Sequence, residues 1–149
     1  MQLNLLVGSV HGNATSVAQA LQLSATDFKM HIDIYPMDGL DTAIFEKSGV
    51  FLICTSTTGS GDVPNNAQAF YQALDAHYLG HVRYGIIALG DSSYGETFCG
   101  GGKLFDARLQ DLGAKRIGDM LCIDAIDTTE PESVAIEWLE LWLKQLAMH

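Results

Sequence analysis

The sequence has few basic residues for its length. Its 8 Lys and Arg residues stand against 18 Asp and Glu residues, which gives a net charge of −10. Proteins that bind the phosphate backbone of nucleic acid need clusters of Lys and Arg, so this composition excludes nucleic acid as a partner. It favours a basic docking partner, although the solubility of an acidic protein accounts for the same charge.

Cysteine is also scarce, and its three copies lie far apart at Cys54, Cys99 and Cys122. They form no Cys-x-x-Cys pair, which excludes the usual zinc and redox-dithiol motifs. We interpret Cys54 and Cys122 as buried strand residues and Cys99 as a packing residue. His77 and His81 are four residues apart, but no carboxylate or cysteine completes a ligand set, so we expect no metal there.

Long apolar runs and targeting signals are missing as well. No run approaches the roughly 20 residues that span a bilayer, and the N-terminus lacks the basic flank and cleavage site of a signal peptide. The chain has 149 residues with 48% hydrophobic content. That length normally makes one compact domain. We therefore expect a single domain over residues 1–149, located in the cytoplasm.

The chain does contain five apolar or alternating runs that are typical of strands, and all but the second are followed by a loop and then by helical periodicity. They cover residues 3–7, 31–35, 50–54, 82–89 and 117–123. This repeated β-α order predicts an α/β fold with a three-layer, doubly wound, five-stranded parallel sheet. The alternating second strand is expected near an edge of that sheet.

Four helices are predicted between and after these strands, each with an apolar face toward the sheet. Asn13 is predicted to cap the first helix, and Gly113 to end the third. The predicted core-facing residues are Val17, Ala18 and Leu21; Ala69, Phe70, Ala73 and Leu74; Leu104, Phe105, Leu109 and Leu112; and Val134, Trp138, Leu141 and Trp142.

Three strand-end loops carry the residues that could bind a ligand. Residues 8–16 form a glycine turn that enters a helix N-terminus, where unpaired amides and a partial positive charge suit an anion. No Lys or Arg lies between residues 1 and 28. Residues 55–66 are rich in hydroxyl groups and glycine. Residues 89–105 carry aromatic rings at Tyr94 and Phe98, and Tyr94 either caps the core or offers a flat platform to a flat ligand.

The loops after the first, third and fourth strands would meet at one edge of such a sheet. A ligand with a phosphate at one end and a planar ring at the other fits them better than a dinucleotide. The Gly-x-Gly-x-x-Gly fingerprint and the Walker sequence are both absent.

Taken together, the loops resemble the three FMN loops of the flavodoxin family. The resemblance rests on Ser-Val-His-Gly-Asn-Ala at 9–14, Ser-Thr-Thr-Gly-Ser-Gly-Asp at 56–62, and Leu-Gly-Asp-Ser-Ser-Tyr at 89–94 with Phe-Cys at 98–99. It covers nearly the whole chain and is closest to short-chain flavodoxins that are similar to the FMN domain of sulfite reductase flavoprotein. An uninterrupted fifth strand over residues 116–125 also resembles the short-chain type. The resemblance implies a flavodoxin-like sheet in the order 2-1-3-4-5.

The resemblance also implies roles for individual residues. The first loop would cradle the FMN phosphate through Ser9, Gly12, Asn13 and Ala14, with Ser56 and Thr57 nearby. Gly59 would lie at the flavin N5 edge, where the family turns a backbone carbonyl toward N5 on one-electron reduction. Tyr94 would stack on the outer face of the ring, and Asp91 and Ser92 would supply amides to its pyrimidine side. The full candidate set is Ser9, Val10, His11, Gly12, Asn13, Ala14, Ser56, Thr57, Thr58, Gly59, Leu89, Gly90, Asp91, Ser92, Tyr94, Phe98 and Cys99.

Three of these positions depart from the family pattern. His11 stands where the family usually has Thr, and Ala14 where it often has Thr or Ser, so side-chain contacts to phosphate are lost. His11 either replaces one of them in part or is an exposed loop residue. Thr58 replaces a large aromatic ring, which forfeits about 0.5–1.5 kcal/mol of stacking. FMN affinity is therefore expected to be weaker.

The function implied by the resemblance is a low-potential, one-electron carrier with non-covalent FMN. A basic NADPH-dependent flavodoxin/ferredoxin reductase would supply its electrons, and a basic redox enzyme would accept them from this monomeric protein. Acidic residues near the ring, such as Asp62, Asp91 and Glu96, would disfavour the negatively charged reduced flavin. No catalytic triad or carboxylate pair stands out. The alternative is a non-redox binding or regulatory module; a receiver domain is disfavoured because no acidic cluster follows the first strand.

Overall fold

The protein is described by a computed structural model that covers residues 1–59, 61–91, 95, 98–124 and 130–148. The strands are β1 (Gln2–Gly8), β2 (His31–Pro36), β3 (Val50–Thr55), β4 (Arg83–Gly90), β5 (Lys115–Arg116) and β6 (Leu121–Asp124). The α-helices are α1 (Asn13–Ser24), α2 (Gln68–Ala73), α3 (Gly100–Asp111) and α4 (Pro131–Ala147). Short 3-10 helices occupy Ala25–Phe28, Thr42–Glu46, Asn65–Ala67 and Leu74–Ala76.

The sheet is parallel throughout, in the order β2-β1-β3-β4-β5, with β6 also paired to β4. This confirms the predicted order 2-1-3-4-5 and the edge position of the second strand. The strand order reverses at β1: the chain adds β2 on one side of β1 and then β3 on the other side. The loops after β1, β3 and β4 therefore leave the sheet from neighbouring positions on the same edge.

The core has two halves, one on each face of the sheet. Alternate residues of β1, β3 and β4 point to opposite faces, as period-two side chains must. One half packs α1 and α4 against residues such as Leu5 and Leu52. The other half packs α2 and α3 against residues such as Ile53 and Ile86. The sequence prediction of three layers is confirmed.

The prediction of an uninterrupted fifth strand is wrong, because the structure divides this strand into β5 and β6. Four residues, 117–120, lie opposite the two β4 residues between the paired segments. The indole of Trp142 fills the space beside Gly85, where an added Cβ would lie 2.6 Å from Nε1. The same Nε1 donates to the Ile117 carbonyl at 2.8 Å. Trp142 thus takes the place of a ladder partner, and Gly118 makes the turn at φ +68°.

The predicted helix faces are partly correct. Val17, Ala18 and Leu21 of α1 are buried, as are Phe70, Leu74, Phe105, Leu109 and Trp142, with Leu104, Leu112 and Trp138 half-buried. Ala69, Ala73, Val134 and Leu141 are exposed instead. The buried residues of α4 are Ala135, Leu139 and Leu146 together with Trp142, because these positions lie on one face of a helix with 3.6 residues per turn. Among the described residues, no helix has the length and apolar character needed to cross a membrane.

Candidate functional site

The first loop is a tight turn that leads directly into α1. His11 and Gly12 both have left-handed backbones, at φ +54° and +77°. The Asn13 amide donates to the Val10 carbonyl at 3.3 Å, which closes a turn of the mirror-image type I class. Gly12 occupies the N-cap position and Asn13 starts the helix, so the prediction of Asn13 as the cap is wrong by one residue. Gly12 has no side chain that could cap α1, so the first-turn amides of the helix depend on other partners.

Side chains hold this turn against the rest of the sheet edge. The Ser9 hydroxyl accepts from the Thr15 amide at 3.4 Å, and the Asn66 side chain donates to the Ser9 carbonyl at 3.3 Å. Ala14 is fully buried, and its side chain belongs to the core. A larger polar side chain at that position would enter the core. His11 is exposed, in agreement with one of the two alternatives for it.

The second loop closes into a small hairpin at its tip. Thr58 and Asp62 exchange two backbone hydrogen bonds of 2.9 Å. Gly59 lies at φ +54° and is exposed, and a Cβ added there would meet no atom of the described residues within 4 Å. Thr58 is half-buried. The backbone of Gly59 is therefore presented outward from a closed loop, with open space beside it.

Thr57 connects the second loop to the third loop and to α3. Its hydroxyl donates to the Leu89 carbonyl at 3.0 Å and accepts from the Gly101 amide at 3.1 Å. Added Cβ atoms at Gly100 and Gly101 would collide with the carbonyl oxygens of Gly61 and Ser56. The start of α3 thus lies directly on the second loop. Sequence analysis missed this contact, although three consecutive glycines at the start of a helix were the signal for it.

The third loop begins where β4 ends. Gly90 and Asp91 are half-buried. The backbone of Gly90 approaches Cys99 so closely that an added Cβ would lie 2.6 Å from the Cys99 amide nitrogen. Phe98 is half-buried against the core, and Cys99 is fully buried, with its thiol donating to the Ala88 carbonyl at 3.5 Å. The predicted contacts of Ser92 and Tyr94 lie outside the described residues.

The three loops meet around a buried hydroxyl group. Ser56 donates its amide to the Gly8 carbonyl at 2.8 Å, at the point where the first loop leaves β1. Its side chain is 4% exposed, yet its Oγ has no hydrogen-bond partner among the described residues. Leaving a buried hydroxyl unpaired costs about 1–3 kcal/mol, so such a group usually has a partner in the working protein. A phosphate fits this surrounding, because a helix N-terminus and a hydroxyl can hold an anion without a cationic side chain.

The histidines and acidic residues elsewhere in the described ranges form no metal site. Within the described residues, no group of three or more His, Cys, Asp or Glu could hold a metal ion. His77 bonds to the Thr42 hydroxyl at 2.8 Å and His81 to the Phe45 carbonyl at 2.9 Å. Both histidines line a cleft of about 170 Å³ on the side of the Thr42–Glu46 helix.

A parallel doubly wound sheet with three loops converging at its carboxyl edge defines the class of open α/β proteins that bind ligands at that edge. Comparison with known proteins identifies the family within this class, since the flavodoxin family model matches residues 5–138. This chain belongs to the flavodoxin family. Family membership confirms the resemblance drawn from the loops, the FMN cofactor and, at the level of the family, electron transfer as the function.

Relatives of known name cover nearly the whole chain. Flavodoxin YqcA of Pectobacterium carotovorum is 41% identical over 143 residues, which are 95% of this chain and 94% of that protein. The sulfite reductase [NADPH] flavoprotein alpha-component of Bacillus subtilis is 39% identical over 97% of this chain, but only 24% of that protein is covered. A mutant flavodoxin from Pseudomonas aeruginosa has the same fold, with a TM-score of 0.87, 36% identity and 99% coverage of both chains.

Proposed function

We propose that residues 1–149 form one FMN-binding domain that acts in the cytoplasm as a low-potential, one-electron carrier. It takes electrons from a basic NADPH-dependent reductase and passes them to a basic acceptor enzyme. When bound, FMN supplies the one-electron chemistry, and the protein positions it and adjusts its potential. The observation that carries the proposal is the buried Ser56 hydroxyl, which has no hydrogen-bond partner among the described residues and lies where the first loop leaves β1.

The first loop and Ser56 would hold the phosphate. Ser9, Gly12, Asn13 and Ala14 contribute backbone amides of a tight turn and the first turn of α1, while Ser56 contributes its hydroxyl. Because Ala14 is buried and His11 is exposed, backbone groups carry most of this contact. The helix end adds about half a positive charge, which compensates in part for the missing Lys and Arg.

The second and third loops would hold the ring. The outward backbone of Gly59 suits the N5 edge, and the amide of Asp91 suits the pyrimidine side, together with that of Ser92. Tyr94 is proposed as the stacking ring on family resemblance alone. Thr57 positions the second loop through its two hydrogen bonds, and Cys99 supports the site from the core.

An FMN titration of the apoprotein tests the phosphate site, with Ser56→Ala as the critical variant. Wild-type protein should quench the fluorescence of one FMN per chain. Loss of a hydrogen bond to a charged group costs about 1.5–3 kcal/mol, so Ser56→Ala should bind FMN roughly tenfold to a hundredfold more weakly. Its apoprotein should unfold at an equal or higher denaturant concentration, because the variant removes an unpaired buried hydroxyl.

Two controls separate the phosphate contact from a general loss of structure. Riboflavin lacks the phosphate, so its affinity should be the same for wild type and Ser56→Ala. Ser133→Ala, at an exposed serine in the first turn of α4, should change neither affinity. Equal FMN affinity in all proteins would remove Ser56 from the site, and a chain that FMN does not titrate would support the non-redox module instead.

The acidic surface predicts how the carrier meets its partners. With a net charge of −10, attraction to a basic reductase speeds encounter at low salt. Stopped-flow reduction by a basic flavodoxin reductase should slow as ionic strength rises, because the Debye length falls to about 8 Å at physiological salt. A rate that does not depend on salt would argue against a basic partner.

A further inference from the structure

Two of the three cysteines converge on one residue of β4. Cys122 of β6 is the register partner of Ala88. Cys99, immediately before α3, donates its thiol to the carbonyl oxygen of Ala88 at 3.5 Å. Both cysteines belong to the core half that packs against α2 and α3, and hydrogen bonding between the two thiols is the largest cause of the pKa shift of each. The fold therefore pairs two thiols that are 23 positions apart in sequence.

The two thiols of this pair differ in exposure and in acidity. Cys99 has no exposed surface, whereas Cys122 is half-buried. The hydrogen bond from Cys99 holds the pKa of Cys122 below the usual thiol range, and the charge of Lys103 acts in the same direction. The same hydrogen bond, burial and the charges of Cys122 and Asp124 raise the pKa of Cys99, against the opposing charge of Lys103. Cys122 is therefore the thiol of the pair that loses its proton more readily, and it is also the more exposed residue.

The third cysteine provides an internal contrast. Cys54 lies in the other half of the core, and its thiol donates to the Ala14 carbonyl at 3.6 Å. Complete burial raises its pKa to about 12. Cys99 and Cys122 belong to the opposite half of the core, so Cys54 lies apart from the other two thiols and should not take part in disulfide formation.

We propose that Cys122 and Cys99 form a hydroperoxide-reactive thiol pair, in which Cys122 is oxidised first and Cys99 resolves it to a disulfide. The Cys122 thiolate attacks one oxygen of the peroxide, the O–O bond breaks, and the leaving oxygen takes a proton to become water or an alcohol. Cys122 is then a sulfenic acid. The Cys99 thiol loses its proton and attacks the Cys122 sulfur, the S–O bond breaks, and water leaves. The two sulfurs are oxidised and the peroxide is reduced.

Such a disulfide would act on the third loop. Cys99 marks the end of that loop, and its amide lies against Gly90 at the start of the same loop. A bond from Cys99 to β6 would fix both ends of the loop to the sheet. The proposal concerns the protein chain alone and does not depend on bound FMN.

Treatment of the purified full-length protein with hydrogen peroxide tests this proposal. After quenching and unfolding, wild type should fall from three titratable thiols to one, and dithiothreitol should restore all three. A non-reducing peptide map should show one intrachain link between Cys99 and Cys122. The matched control Cys54→Ala should form the same link and fall from two thiols to none.

The two single variants should give different products. Cys99→Ser should leave a Cys122 sulfenic acid that dimedone labels, whereas Cys122→Ser and Cys122→Ala should keep both remaining thiols. Far-UV circular dichroism verifies that each variant is folded. Wild type that retains three thiols, forms links only between chains, or links through Cys54 would overturn the proposal.

Discussion

The glycines of this protein fall into two regions with different physical requirements. Gly12 and Gly59 lie in the first and second loops with left-handed backbones, and no described residue occupies the space where a side chain would be. Gly100 and Gly101 have ordinary helical backbones, but backbone carbonyls of the second loop occupy the space a side chain would need. The first pair is required by local conformation and the second pair by packing.

This difference separates a ligand-facing surface from the structure that supports it. Open space beside the loop glycines leaves room for a ligand to approach the backbone. The contact between α3 and the second loop is fixed by backbone atoms, which cannot move aside as a flexible side chain can. The Thr57 hydroxyl adds two hydrogen bonds to that contact. The site thus has an accessible face held by a close-packed support.

The largest expected effect is from Gly100→Ala. The new Cβ would collide with the carbonyl of Gly61, so α3 must move away from the second loop, at a cost of about 3 kcal/mol. Urea unfolding measures the loss. Gly12→Ala is the matched control, since its methyl meets open space and only the left-handed backbone is strained, at about 1 kcal/mol. Equal losses in the two variants would contradict the distinction between packing and conformation.

A smaller loss is expected from Thr57→Val, which keeps the shape of the side chain but removes its hydroxyl. The Leu89 carbonyl and the Gly101 amide each lose a partner, at a combined cost of about 2 kcal/mol. Thr57→Ser keeps the hydroxyl and should lose less than about 1 kcal/mol. The same urea titration tests both variants. If valine and serine proved equally harmful, the methyl group rather than the hydroxyl would hold the loops together.

The smallest effect is expected at Gly59, and it depends on the proposed FMN site. Alanine disfavours the left-handed backbone by about 1 kcal/mol, which equals about 40 mV for one electron. In Gly59→Ala the two one-electron potentials should move closer together by that order, as measured by redox titration. Gly39→Ala, also left-handed and in open space, should leave both potentials unchanged. A shift of the same size in both variants would show that the change in potential does not arise from a contact between Gly59 and the flavin.

The sequence allowed the architecture to be predicted because apolar runs and turns are local signals. Strand existence, the edge position of β2 and the meeting of three loops were all predicted correctly. Errors arose where a distant side chain changed a local outcome. Trp142 interrupts the fifth strand by bonding to Ile117.

What the sequence by itself determined is the order of elements, the family and the absence of cationic side chains from the first loop. Periodicity, turn residues and composition encode these features within short stretches of chain. Only the tertiary structure decided that Ser56 is buried with no partner among the described residues and that Cys99 and Cys122 share Ala88 as a neighbour. Those facts depend on contacts between residues far apart in sequence, and such contacts exist only once the sheet and its helices have packed.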